Sequence, residues 1–242
     1  MKVTKRKKTE KFVGYFMSLI LILTLILVSC EKEEDTMILT DDEVSSVVGS
    51  SLSPSEGGTA MNVEQSATVA SVVAVPSYCG LQKDTTITIT GPLGRYTLTS
   101  NWSFTLNCVS SVPSSITIVL SGNSSYNGIN FDMTATQTGN GTLTNLLSGT
   151  NYIYNGTFGR EGNSTTNYNG KTKTFSSTLN YTFTNVNIDK TTKKIVSGTA
   201  TFVFTGQGSE GGSISRTGTI TFNANYTATI TLDNSEEYTI NL

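Results

Sequence analysis

The stretch Ile220-Thr221-Phe222-Asn223-Ala224-Asn225-Tyr226-Thr227-Ala228-Thr229-Ile230-Thr231-Leu232 alternates apolar and hydrogen-bonding side chains from end to end. In extended backbone, successive side chains leave opposite faces of the chain, so a period of two builds a sheet with one buried and one wetted face. A helix would scatter the same residues around its circumference. Read as written, the run is one long strand.

The same beat recurs upstream. Tyr96, Leu98, Trp102, Phe104, Leu106 and Cys108 alternate with Thr, Asn and Ser, as do Ile129, Phe131, Met133 and Ala135. Phe175, Leu179, Tyr181 and Phe183 share one parity, whereas Val186 and Ile188 share the other, which predicts a bulge near Thr184–Asn185. Ala200, Phe202 and Phe204 continue the pattern. Gly91-Pro92-Leu93-Gly94, Asn127-Gly128, Gly139-Asn140-Gly141, Asn169-Gly170, Lys190-Thr191-Thr192-Lys193 and Glu210-Gly211-Gly212 read as the turns between strands. The expected fold is mostly β: nine or ten long antiparallel strands in an up-and-down meander, shaped as a curved sheet, an open barrel or a sandwich.

Residues 40–75 read differently. Thr40-Asp41-Asp42-Glu43 is a capping box, in which the Thr40 hydroxyl and the Glu43 carboxylate each satisfy the other's backbone N–H. Val44, Val47, Val48 and Leu52 follow at helical spacing. Ser53 to Gly58 breaks the helix, and Asn62–Ala74 offers a second apolar stripe through Val63, Ala67, Ala70 and Val73. One or two short helices lying on the sheet are expected. The organisation is then 1–29 as a signal peptide, 30–39 as an acidic tether, 40–75 as a helical segment and 76–242 as the β-domain.

The N-terminus carries an address. Lys2, Lys5, Arg6, Lys7, Lys8 and Lys11 precede an uncharged run from Phe12 to Ser29. Leu27-Val28-Ser29-Cys30 resembles a bacterial lipobox, which implies cleavage before Cys30 and acylation of its thiol and new amine. Two or three acyl chains anchor firmly, since each buried CH₂ contributes about 0.8 kcal/mol. The acidic run Glu31-Lys32-Glu33-Glu34-Asp35 resembles the export signal of Bacteroidota lipoproteins, which directs them to the outer face of the outer membrane. A solvated, extended tether is the plainer reading of the same charges.

Composition narrows the chemistry. The 242 residues contain no histidine, and only 14% are charged. Imidazole acid–base steps, Ser-His-Asp triads and histidine-ligated metals are excluded. From residue 57 onward acidic and basic side chains are equal in number, so the body has no electrostatic claim on nucleic acid. No catalytic constellation, metal-ligand cluster or cofactor motif emerges. Asp132 and Glu161 are the pair to weigh for glycoside chemistry, but nothing in the sequence brings them together, and Gly159-Arg160-Glu161-Gly162 reads as an ion pair in a flexible turn. Cys79 and Cys108 remain once Cys30 is assigned to lipid, and beyond the inner membrane they are expected to form a disulfide. Tyr126, Tyr152, Tyr154 and Tyr168 lie in Asn/Gly-rich segments and are the candidates for an exposed recognition rim. Trp102, Tyr181 and Tyr226 fall on the apolar parity and are expected in the core.

As a whole the layout resembles a group of Bacteroidota (Flavobacteria-like) outer-membrane or surface lipoproteins. The resembling features are the lipobox and acidic run, the capped helix start, Tyr78-Cys79-Gly80, Trp102 to Cys108, Asn155-Gly156-Thr157, Ser197-Gly198-Thr199-Ala200 and terminal Tyr238-Thr239-Ile240. The resemblance implies no activity and no functional residue. The expected role is a non-catalytic binding or structural accessory in the cell envelope. It would be held in the outer membrane by Cys30, facing the cell surface or the periplasm, and would meet a glycan or an envelope protein. The alternatives are a carrier holding a lipid or other apolar ligand in an open barrel, and a carboxylate-based glycan-acting enzyme.

Overall fold

The computed structural model describes residues 39–242, apart from Asn130, Asn169, Glu210 and the side chain of Tyr168. Helix α1 spans Asp41–Leu52 and α2 spans Thr59–Val73. Ten strands follow: β1 Gln82–Thr90, β2 Tyr96–Val109, β3 Val112–Asn127, β4 Phe131–Thr144, β5 Asn151–Tyr168, β6 Lys171–Asp189, β7 Ile195–Gly208, β8 Ser213–Asn223, β9 Thr227–Leu232 and β10 Glu237–Asn241. They form one antiparallel sheet in the order of the chain, β1 to β10, and the sheet is not closed into a barrel.

The alternation decides which face is inside. Trp102, Phe104 and Leu106 on β2, Tyr181 and Phe183 on β6, Phe202 and Phe204 on β7 and Ile220 and Phe222 on β8 all point into one core. Their Thr, Ser and Asn neighbours face solvent. Both helices belong to that core. Val44, Val48 and Leu52 of α1 and Ala60, Ala67 and Ala70 of α2 are fully buried, so the sheet curls around them. Small side chains allow this close approach: a Cβ on Gly49 would come within 3.0 Å of Ile240 on β10. Each large side chain removed from water on this inner face contributes about 1.5–3 kcal/mol.

The predicted capping box is present. The Thr40 hydroxyl accepts from the Glu43 N–H at 3.3 Å, and the Glu43 carboxylate accepts from the Thr40 N–H at 2.7 Å. The second helix starts earlier than its apolar stripe suggested, directly after Gly57-Gly58. Three acids on the helices meet three bases of the β-domain: Asp41 with Arg216 at 2.6 Å, Glu43 with Lys173 at 2.8 Å and Glu64 with Lys194 at 2.7 Å. Glu64 also accepts from the Ile195 N–H at 3.3 Å. The Tyr181 hydroxyl donates to the Val48 carbonyl at 3.1 Å. These polar contacts fix how the helices sit in the sheet.

The bulge falls where the parity change put it. The β6–β7 register shifts between Thr184 and Asn187, Asn185 has φ 50°, and its N–H donates to the Asn155 side chain at 2.8 Å. Three readings need correction. The run from Ile220 to Leu232 is a hairpin, with β8 and β9 joined by Ala224-Asn225-Tyr226. Asn223 pairs with Thr227, so the three-residue loop returns the chain on the same parity, and the alternation runs through the turn unbroken. Tyr226 sits in that loop with φ 59° and is 41% exposed, outside the core despite its apolar parity. Gly139-Asn140-Gly141 is no turn but the middle of β4, where the two glycines leave room for the rings of Phe158 and Tyr154.

Candidate functional site

The outer face of the sheet is an array of hydroxyls and amides. Thr157, Thr182, Thr201, Thr219 and Thr231 stand in register across β5 to β9. A parallel row of Thr184, Thr199, Thr221, Thr229 and Thr239 crosses β6 to β10. Where β2 to β6 cross, this face is hollowed into an open groove of about 800 Å³. Two cross-strand rows line it: Thr99, Asn123, Thr136 and Glu161, then Thr97, Ser125, Thr134, Asn163 and Ser176. A second hollow of about 350 Å³ continues from Glu161 and Ser176 toward Gln207 and Ser215. Both offer neutral donors and acceptors around one carboxylate. Such a surface can hold a ligand rich in hydroxyls and amides through many modest hydrogen bonds.

The sheet is tightly curled beneath this groove. A Cβ on Gly122 would lie 2.1 Å from the Thr99 carbonyl oxygen, and one on Gly162 would lie 2.1 Å from that of Thr134. Only glycine permits so close an approach of neighbouring strands.

Glu161 and Arg160 part company here. The Gly159–Gly162 segment is the interior of β5, not a turn, so the two side chains leave opposite faces and make no ion pair. Glu161 stands in the groove. Arg160 is 4% exposed and lies in an inner polar row with Ser100, Gly122 and Gln137, in register across β2 to β5. Gln137 donates to the Ser100 hydroxyl at 2.9 Å. Arg160 donates to the Ser124 hydroxyl at 2.7 Å and reaches the Ser51 carbonyl at 3.4 Å. Ser51 lies in the last turn of α1, which carries no basic residue of its own, so Arg160 supplies the positive charge that a helix C-terminus favours. Burial pushes its pKa down to about 10, and burial raises that of Tyr181 beside it.

The tyrosines do not form the expected rim. Tyr152 and Tyr154 are each 5% exposed, because both take the inward parity of β5. Tyr154 lies over Gly141, and burial raises its pKa to about 12. Tyr152 has Lys190 and Lys193 over its ring, at 5.0 and 5.5 Å. Tyr126 is half-buried, 6.0 Å from Phe131, and burial raises its pKa, with the nearby Glu56 carboxylate acting in the same direction. Tyr168 ends β5, and its side chain lies outside the described atoms. The groove was missed because its residues look like ordinary solvent-facing threonines and asparagines. Only the cross-strand register collects them.

Asp132 and Glu161 share the outer face but not a site. Asp132 pairs with Thr165 and Glu161 with Thr136, an offset of four residues, or about 13 Å along the strands. Two glycosidase carboxylates stand closer, at about 5–9.5 Å. Among the described residues no cluster of His, Cys, Asp or Glu is suited to a metal ion. None of the described helices is long and apolar enough to cross a membrane. Cys79 and Cys108 form a disulfide, which ties the turn after α2 to the end of β2. Cys30 and the run Glu31, Lys32, Glu33, Glu34 and Asp35 lie outside the described residues.

Comparison with protein-family models, with curated proteins and with solved structures finds no match to this chain.

Proposed function

We propose that the chain is a lipid-anchored protein of the cell envelope, acylated at Cys30 and carried to the outer membrane, where its β-domain acts as a non-catalytic binding or structural accessory. The basic N-terminal flank, the uncharged run and Leu27-Val28-Ser29-Cys30 support the anchor. The observation that carries the binding role is the groove between Thr97 and Ser176, lined by hydroxyls and amides around the single carboxylate of Glu161. Its lining suits a polyol or amide-rich surface such as an envelope glycan. A carrier of apolar ligands needs an empty concavity, and here α1 and α2 occupy the inner face of the sheet.

Two measurements test the halves separately. Cys30→Ala should abolish incorporation of a palmitate analogue, and continued labelling contradicts the anchor. Thr136→Trp, which fills the groove from an exposed position, should cut retention on immobilised envelope polysaccharide at least tenfold with the melting temperature unchanged. Retention equal to that of the native chain contradicts the groove as the binding surface.

A further inference from the structure

An open sheet has two free edges, and this protein treats them differently. Strand β10 is five residues long and begins with Glu237. Just beyond it, the Leu242 N–H donates to the Tyr226 carbonyl. Such a short, charged, tied strand is a poor template for further pairing. Strand β1 is nine residues long, pairs with β2 without a bulge, and ends in Thr85-Thr86-Ile87-Thr88-Ile89-Thr90. That segment holds six β-branched residues with no charge, proline or glycine. Its inward residues Thr85, Ile87 and Ile89 are only half-buried, and its outward threonines are exposed.

The ladder shows which backbone groups are free. The Gly91 N–H donates to Tyr96, and the Leu106 N–H donates to Leu81. Both pairs continue the β1–β2 register, so the odd-numbered residues of β1 bond to β2. In an antiparallel ladder the alternate residues turn their N–H and C=O the other way. Thr86, Thr88 and Thr90 therefore present theirs at the edge, where none of the described strands lies.

We propose that β1 pairs antiparallel with β1 of a second copy of this chain, about a two-fold axis at Ile87. The segment is self-complementary in that register. Ile87 meets Ile87, and Thr85 meets Ile89, on the inner face. Thr86 and Thr88 exchange backbone hydrogen bonds, and Asp84 falls opposite Thr90, so no like charges oppose each other. A contact of the same patch on both copies closes on itself and leaves no edge for further growth at β1.

The test is the mass of the full chain, purified in detergent, by native mass spectrometry and sedimentation. The native chain should run at twice its monomer mass. Thr88→Pro and Thr86→Pro each remove an edge donor without touching the backbone ladder between β1 and β2. Each should shift the population to monomer with an unchanged melting temperature. Ile87→Cys should give a reducible dimer on mild oxidation, and Thr201→Cys, on an interior strand, should not. A monomeric native chain overturns the proposal. So does a dimer indifferent to both substitutions, or a different polypeptide held at β1.

Discussion

Arg160 and Glu161 are neighbours in sequence with nothing in common in space. One is sealed against the end of α1 and the other stands in a solvent-filled groove, because adjacent residues of a strand face opposite ways. The sequence shows two charges between glycines, a pattern that also spells a turn, and only the pairing of β5 with β4 and β6 decides the matter. Tyr181 was more legible, since its parity alone placed it inside. Its hydroxyl could not be foreseen, because the acceptor, the Val48 carbonyl, is 133 residues away in the chain. Tyr181→Phe keeps the ring in place and removes that hydrogen bond. It should cost about 1 kcal/mol in urea unfolding, the usual net worth of one buried hydrogen bond. An unchanged unfolding midpoint would mean that the bond does not hold α1 to β6.

At the scale of elements, periodicity located strands well and turns unevenly. The bulge at Asn185 was readable because it flips the parity of Val186 and Ile188. The turn at Ala224–Tyr226 was hidden because a three-residue loop leaves parity unchanged. Ser110 and Ser111 form the tight β2–β3 turn with φ of 51° and 63°, a conformation usually marked by Asn or Gly, so no punctuation announced it. The disulfide followed from compartment and from the count of cysteines once Cys30 was set aside. It closes a loop of 29 residues, and in the chain-entropy account such a closure is worth about 3–4 kcal/mol. The double substitution Cys79→Ala with Cys108→Ala should lower unfolding stability by roughly that amount. A loss under about 1 kcal/mol would show that the unfolded chain is not held by this bond.

For the whole molecule, the balance of buried polar groups sets its response to alkali. Burial holds the Tyr154 hydroxyl protonated up to about pH 12, while in the unfolded chain it ionises at its ordinary value of 10.0. The stability it lends is complete below pH 10 and falls as pH climbs toward 12. Tyr181, raised by burial as well, acts in the same direction. Arg160 opposes them: its folded pKa lies near 10, below the 12.5 of an ordinary guanidinium, so the cost of burying its charge is relieved across that interval. Both tyrosines favour the unfolded chain in alkali, and the melting temperature should fall steadily above pH 10, with Tyr154 and Tyr181 ionising only as the fold opens. Tyrosinate absorbance followed beside circular dichroism checks this. Full tyrosine ionisation ahead of unfolding would contradict it.

One sheet, with an apolar face wrapped around two helices and a polar face toward water, makes up the fold. Single cysteines placed in turn at positions 219 to 222 and 228 to 231, in the folded chain, measure that arrangement through their rates of maleimide labelling. Slow labelling at 220, 222, 228 and 230 and fast labelling at 219, 221, 229 and 231 is the predicted result. The reverse order, or equal rates at all eight positions, would contradict it.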